Sequence, residues 1–167
     1  MAMSDEQKSY ADVLMKLYQE HCTQGRHHET QRSAVVTAII AVASVITGLI
    51  TYDRAITRSD LPLTFFLIVL GVFGAAFAMK HYERFNLHTE RGRTHRDALD
   101  TLLGQVLGTA APLQPLRATA NAKNAGAYPR LSKLRLHYWW LSLGLLIATL
   151  GIVLSVIALF FPQKVVP

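Results

Sequence analysis

The sequence predicts an all-α integral membrane protein with three transmembrane helices and a long cytoplasmic helical hairpin, here called the stalk. Three observations predict this fold class. The chain has only 167 residues, yet 51% of them are apolar. The apolar residues are gathered into three blocks, each close to the 20 or so residues that a helix needs to cross about 30 Å of hydrocarbon. The polar segments between the blocks have helical patterns and carry most of the positive charge.

The three uncharged blocks are residues 33–52, 61–79 and 138–161. The alternative, buried helices of a soluble protein, would need a large polar partner surface that so short a chain lacks. No cleaved signal is expected, because the first 32 residues are polar and the first block is of full membrane length. We therefore expect an uncleaved first anchor and three spans.

The distribution of Lys and Arg predicts the orientation of these spans. Residues 1–32 and 80–137 together carry 14 of the 17 Lys and Arg residues. By the positive-inside rule, the N-terminus and the long loop should be cytoplasmic and the C-terminus external. We expect a bacterial inner-membrane location, with the lipid bilayer rather than nucleic acid as the reason for the net charge of +6.

The remaining segments complete the predicted layout. Ser4 and Asp5 mark the start of a cytoplasmic helix that could break at Gly25. The second span should continue into a stalk helix without a strong breaker until Gly104. The predicted segments outside the spans are 1–32 (N-terminal helix), 53–60 (outer loop), 80–103 (stalk helix), 104–129 (connector, with at most a short helix at 116–124), 130–137 (basic juxtamembrane helix, with Pro129 at its first turn) and 162–167 (outer tail).

Basic and aromatic residues at the inner end of the third span form a predicted interfacial anchor. Aromatic rings at headgroup depth beside snorkelling cations are typical of such ends. The anchor residues are Arg130, Lys133, Arg135, Tyr138, Trp139 and Trp140.

Three histidines recur at seven-residue spacing in the predicted stalk, each followed two positions later by a carboxylate. On a helix, His81, His88 and His95 drift by only about 20° per repeat and share a face. They are about 10.5 Å apart along the axis, too far for two of them to bind one metal ion. His21 and His28 repeat the spacing in the N-terminal segment.

Three interpretations of these histidines remain open. They could be a solvated face, held by i, i+4 pairs such as Arg93 with Asp97 and Arg96 with Asp100. They could form a seam between helices of a hairpin or an oligomer, sensitive to pH near neutrality. They could also supply a metal site shared between helices, with His21, His27 or His28 facing a stalk histidine. We take the assembly seam as the site prediction: His21, His28, His81, His88 and His95.

Small residues form a stripe on each predicted span. In lipid, such stripes let helices approach closely, either within one chain or between copies. The stripes are Thr37, Ala41, Ser44 and Gly48 in the first span, Gly71, Ala75 and Ala78 in the second, and Gly144, Ala148, Gly151, Ser155 and Ala158 in the third.

Signatures of catalysis are missing from the sequence. It contains no HExxH, CxxC, P-loop or GxSxG pattern. The spans contain no ionisable Asp, Glu, Lys, Arg or His, which disfavours an ion-coupled carrier. We therefore predict no enzyme and no cofactor.

The layout also resembles a known class of protein. Over residues 8–105, a long basic helix enters a first span, and a short outer loop joins it to a second span that runs into a long charged helix. This layout, seen in "RHHETQRSAVV" and "KHYERFNLHTERGR", resembles the SLATT-type and related small bacterial membrane effectors. The resemblance implies a pore-forming oligomer that accompanies a nucleotide-signalling antiphage system. The third span and the lack of an evident ligand-binding domain depart from that layout.

These observations together predict a homo-oligomeric membrane protein, pore-forming or membrane-perturbing, controlled through its stalk. Its partners would be the bilayer, further copies of the chain and a possible cytoplasmic sensor or nucleotide-signalling protein. The alternatives are a non-conducting scaffold for a cytoplasmic partner and a membrane metalloprotein with interhelical histidine ligands.

Overall fold

The computed structural model describes residues 3–52 and 55–161. Within them the chain is 88% helical and has no strands, which confirms the all-α prediction. The four α-helices are α1 (Asp5–Ile50), α2 (Leu61–Leu107), α3 (Gln114–Ala127) and α4 (Leu136–Phe160), with 3₁₀ turns at Arg58–Asp60 and Leu131–Lys133. The predicted outer tail, 162–167, and two residues of the predicted outer loop, Asp53 and Arg54, lie outside the described residues.

Three of the helices, α1, α2 and α4, are long and apolar enough to span a membrane, judged by length and composition. This agrees with the three spans that the apolar blocks predict.

A reciprocal cap defines the start of α1. The backbone N–H of Gln7 donates to Ser4 Oγ at 3.2 Å, and that of Ser4 donates to Gln7 Oε1 at 3.0 Å. Two donors that the helix itself leaves unsatisfied are thereby bonded. The helix then continues for 46 residues, so the possible break at Gly25 does not occur.

The stalk helix ends later than predicted, at Leu107 rather than near Gly104. The turn that follows contains two residues with positive φ, Gly108 at 69° and Ala111 at 42°. The backbone N–H of Thr109 donates to the carbonyl of Gly104 at 2.9 Å. A Cβ at position 104 would collide with the carbonyl oxygen of Thr109, so this turn needs glycine there.

Two predicted segments differ from the structure between α2 and α4. The connector contains a 14-residue helix, α3, where at most a short one was expected. The basic run does not form a helix continuous with α4, because Leu134 is extended (ψ 123°) and α4 begins only at Leu136. The prediction of a juxtamembrane helix over 130–137 is therefore wrong in this respect.

The chain divides into two compact units. The first, here called the polar unit, comprises 3–28 and 83–135, and the second, the apolar unit, comprises 29–82 and 136–161. In the apolar unit, a core cluster joins α1, α2 and α4 through Ala43, Ile46, Ile50, Leu67 and Leu154. In the polar unit the buried apolar side chains include Leu14, Leu99 and Leu102.

Candidate functional site: the histidine cluster of the polar unit

Four of the five predicted seam histidines lie together in the polar unit, two on α1 and two on α2. The ring of His21 is stacked on that of His95, with centroids 5.3 Å apart and planes 4° from parallel. His28 and His88 are also stacked, at 5.4 Å. His21 and His88 join the two stacks, with their Nδ1 atoms 3.2 Å apart. We call these four residues the histidine cluster.

The cluster places imidazoles next to one another and next to other cations. The pKa of His21 is lowered below its ordinary value of 6.5, first by burial and then by the positive charges that His88, His95 and Arg91 carry or acquire. Glu20 acts in the opposite direction but does not reverse the shift. The geometry therefore favours neutral His21.

The fifth predicted histidine belongs elsewhere. His81 is part of the apolar unit, where its ring centroid lies 4.2 Å from that of Phe77 on the preceding turn of α2. The equal spacing of His81, His88 and His95 along α2 thus does not give them equal surroundings. Contacts between copies of the chain through these five histidines stay a prediction.

A cavity of about 390 Å³ lies beside the histidine cluster, within the polar unit. Its lining combines aromatic, cationic and hydroxyl groups without a carboxylate: Tyr18, His21, Cys22, Gly25, Arg26, Phe85, His88, Thr89, Gly92, Arg93 and Arg96. The pKa of Tyr18 is raised above its ordinary value of 10.0, mainly by a hydrogen bond with Cys22, so its phenol stays protonated. This lining is suited to an acidic group with an apolar portion.

The two i, i+4 ion pairs that the sequence suggested are absent from the described stalk helix, and other pairs replace them. Arg93 pairs with Glu90 at 2.6 Å, and Arg96 pairs with its neighbour Asp97 at 2.9 Å. The carboxylate of Asp100 contacts the start of α3 instead. It accepts from the backbone N–H of Leu113 at 2.8 Å and from Arg117 Nη2 at 2.9 Å.

The Asp100 contacts are a feature that the sequence analysis missed. Asp100 is only 1% exposed, and its two oxygens fix the first turn of α3 against the end of α2. A buried carboxylate is stable only when its acceptor sites are used, as they are here. The sequence signal was weak: Asp100 lies among the polar residues of the stalk helix, before a connector that contains Pro112 and Pro115.

In the apolar unit, the small residues of α4 lie close to the backbone of α2. A Cβ at Gly71 would lie 2.6 Å from the carbonyl oxygen of Gly144, and one at Gly144 would lie 2.6 Å from the backbone N of Ala75. A Cβ at Gly151 would lie 2.8 Å from the carbonyl oxygen of Thr64. These glycines are required for the close approach of the two helices.

The other predicted alanines of these two stripes are also buried: Ala75, Ala78, Ala148 and Ala158. Ser155 is partly buried, and its Oγ lies 2.8 Å from Thr64 Oγ1. The two stripes therefore pack within one chain.

The stripe of α1 behaves differently. Its four residues are exposed: Thr37, Ala41, Ser44 and Gly48. The side of α1 that packs in the apolar unit is instead formed by larger residues such as Val36, Ile39, Ile46 and Ile50. Among the described residues, the α1 stripe is therefore not buried by the rest of the chain.

The predicted interfacial anchor is mostly exposed. Arg130, Lys133 and Arg135 lie in the polar unit, whereas the aromatic residues belong to α4 in the apolar unit. Tyr138 and Trp139 are exposed, and Trp140 is partly buried against Arg32, whose Cζ lies 5.6 Å from the ring centroid.

Metal ligands are not gathered into a complete site in the described residues. No group of three or more His, Cys, Asp or Glu side chains there is arranged to hold a metal ion. His21 and His88 bring together only two ring nitrogens.

No protein-family model, no curated protein and no solved structure matches this chain.

Proposed function

We propose that this is a homo-oligomeric, multi-pass protein of a bacterial inner membrane, which acts on the bilayer as a pore-forming or membrane-perturbing effector. The observation that carries the proposal is the exposed stripe of small residues on α1. It lies on a helix apolar and long enough to span a membrane, on the side that the chain's own packing leaves uncovered.

The chemistry of this stripe suits a helix partner in lipid. Apolar bulk gives no driving force for association there, and small side chains permit close backbone approach. The hydroxyl of Ser44 donates to the carbonyl of Ile40 at 2.8 Å, so the stripe presents no unsatisfied donor at that position. Beside it lies a groove of about 360 Å³, lined by Ile40, Ala43, Ser44, Thr47, Ile147 and Leu150. A second copy of the chain would bring small and apolar side chains of the same kind to this groove.

We propose that the histidine cluster controls the assembly. Neutral imidazoles can donate and accept between α1 and α2, whereas protonated ones would place like charges at the stacking distances of His21, His88 and His95. Arg91 adds to that repulsion, while Glu20 opposes it. Acidification would loosen the hairpin, and the polar unit would thereby act as the regulated part. The charge distribution supports a cytoplasmic location for that unit.

A scaffold that docks a cytoplasmic partner without conducting is the second candidate. The cavity of the polar unit favours it, because three arginines line it, and the carboxylates that pair with Arg93 and Arg96, those of Glu90 and Asp97, are not part of the lining. An acidic loop or a small organic anion would be the complementary partner.

Two matched substitutions test the oligomer. Ala41 lies on the α1 stripe, and Ala38 is an exposed alanine about 60° away on the same helix. Ala41→Leu should reduce the oligomer in mild detergent and lower the release of entrapped dye from proteoliposomes, whereas Ala38→Leu should leave both unchanged. The crosslinked species and the dye release would be measured on the same preparations.

The outcomes separate the two candidates. An oligomer that is sensitive to Ala41→Leu but releases no dye at any pH would favour the scaffold. Equal oligomers in both variants and the wild type would contradict the role of the stripe.

A further inference from the structure

Arg32 is a buried arginine at the start of the first apolar segment. Its side chain is only 3% exposed, and its Nη2 donates to Glu29 Oε1 at 2.9 Å. Its guanidinium also lies over the ring of Trp140, at 5.6 Å from the centroid, within range of a cation–π interaction. A cation buried to this extent needs most of its donors satisfied.

Two buried N–H groups remain unsatisfied at this place. Among the described residues, neither Arg32 Nε nor Trp140 Nε1 has a hydrogen-bond acceptor. Leaving a buried donor unsatisfied costs about 1 to 3 kcal/mol, and more for a charged group. The pair therefore needs an acceptor from outside the described residues, and an anionic acceptor suits the charge of Arg32.

Both residues line the same cavity, about 430 Å³ in volume and within the apolar unit. The other lining residues are Glu29, Thr30, Ser33, Ala34 and Leu136. Arg32 immediately precedes the first uncharged block and Trp140 lies near the start of the third. If those blocks cross the bilayer as proposed above, the cavity lies at headgroup depth.

We propose that this cavity binds the headgroup of an ethanolamine phospholipid. A phosphodiester oxygen would accept from the N–H groups of Arg32 Nε and Trp140 Nε1. Both groups are donors suited to an oxyanion. The remaining charge in the cavity is Glu29, whose side chain is 42% exposed. A headgroup that carries an ammonium beside its phosphate matches Glu29, whereas a purely anionic headgroup would be repelled by it.

The inference rests on the proposed membrane function, since a lipid is the expected source of the phosphate. The same chemistry could be met by a soluble phosphomonoester such as O-phosphoethanolamine. The two sources differ in whether acyl chains contribute to binding, and the experiment compares them directly.

Native mass spectrometry of the detergent-purified full chain provides the test, with dioleoyl phosphatidylethanolamine and dioleoyl phosphatidylglycerol as probes. Trp140→Phe deletes the donor and keeps a ring against Arg32, so it should preserve the fold. It should weaken retention of phosphatidylethanolamine about ten-fold, the effect of losing one hydrogen bond to a charged acceptor. The matched control is Trp139→Phe, at the adjacent and 62% exposed position, which should bind as the wild type does.

A second variant tests the headgroup assignment. Glu29→Gln keeps an acceptor oxygen for Arg32 but removes the negative charge. It should abolish the preference for phosphatidylethanolamine over phosphatidylglycerol while retaining phospholipid binding. O-phosphoethanolamine should compete only weakly with the lipid.

Equal retention in Trp140→Phe and Trp139→Phe would overturn the lipid site, and so would a Glu29→Gln variant that keeps the wild-type preference. Competition by O-phosphoethanolamine at the concentration of the lipid would also overturn it, in favour of a soluble ligand. A different result would contradict the proposed membrane function, namely recovery of the expressed chain outside the membrane fraction.

Discussion

His21 and His88 lie opposite each other on α1 and α2, with their Nδ1 atoms 3.2 Å apart. At that distance one nitrogen must carry the proton and the other must accept it, so the two neutral rings have different tautomers. A proton added to the accepting nitrogen removes the acceptor and places two N–H groups against each other. The hydrogen bond between His21 and His88 therefore forms only while the accepting nitrogen carries no proton, which excludes the pair with both rings protonated.

The first prediction concerns acid stability. Because the pKa of folded His21 lies below its ordinary value of 6.5, the unfolded chain takes up this proton first as the pH falls. His21 should contribute its full stability above about pH 6.5 and lose it progressively as the pH falls to the lowered value. Hydrogen-exchange protection of residues 14–28, corrected for intrinsic rates, should decrease between pH 7.5 and 5.5.

His21→Gln should reduce this dependence on pH, since glutamine is polar but does not titrate there. The control is His27→Gln, a neighbouring exposed position on α1. Protection that changes with pH to the same extent in His21→Gln and His27→Gln would speak against a role for the cluster.

The sequence predicted part of this cluster and could not predict the rest. Seven-residue spacing correctly aligned His88 with His95 and His21 with His28, because helix geometry relates such positions directly. It also included His81, which lies in the apolar unit beside Phe77. Periodicity describes a face of one helix, but the partner of each turn depends on tertiary packing, which the spacing does not encode.

The second prediction concerns the carboxylate that holds α3. Asp100→Ala should remove the acceptor of Leu113 N–H and of Arg117, and should release α3 from the end of α2. Because Arg117 is itself partly exposed, the expected loss of stability is about 1 to 3 kcal/mol rather than that of a fully buried pair. Limited proteolysis should then cut within 108–127.

Asp97→Ala provides the comparison, since Asp97 is 57% exposed and contacts Arg117 at 3.3 Å. It should cost less than about 1 kcal/mol. Comparable proteolysis of the two variants would mean that the buried contacts do not hold α3 in place.

The third prediction concerns the glycine contact of α2 and α4. Gly144→Leu should push α4 away from the backbone of Ala75 and destabilise the apolar unit by roughly 3 kcal/mol or more. Gly48→Leu makes the same chemical change where a Cβ would meet nothing within 4 Å. Thermal unfolding followed by near-UV circular dichroism, in a detergent that keeps the chain monomeric, should show a lower Tm only for Gly144→Leu.

The fourth prediction is the topology. The excess of Lys and Arg in 1–32 and 80–137 predicts that both segments are cytoplasmic. Alkaline phosphatase should be active when fused after Thr57 or Lys164 and inactive when fused after Asn121. Activity at Asn121 would reverse the proposed orientation.

The helices themselves were largely predictable, because uncharged blocks of 19 to 24 residues and a Ser4 cap are strong local signals. The length of α3 was not, since its first turn depends on Asp100, 13 residues before Leu113. The site at Arg32 was also missed. In the sequence Arg32 is only one more positive charge, and nothing local marks it as the partner of Trp140.

The glycine contact of α2 and α4 also bears on the order of biosynthesis. Its members come from residues 64–75 and 144–155, so α4 is translated after residues 83–135 of the polar unit. Docking of α4 closes that intervening chain into a loop, at an entropic cost that rises only slowly with loop length. The residues of the polar unit therefore leave the ribosome before α4 does, and that unit is free to fold before α4 docks on α2.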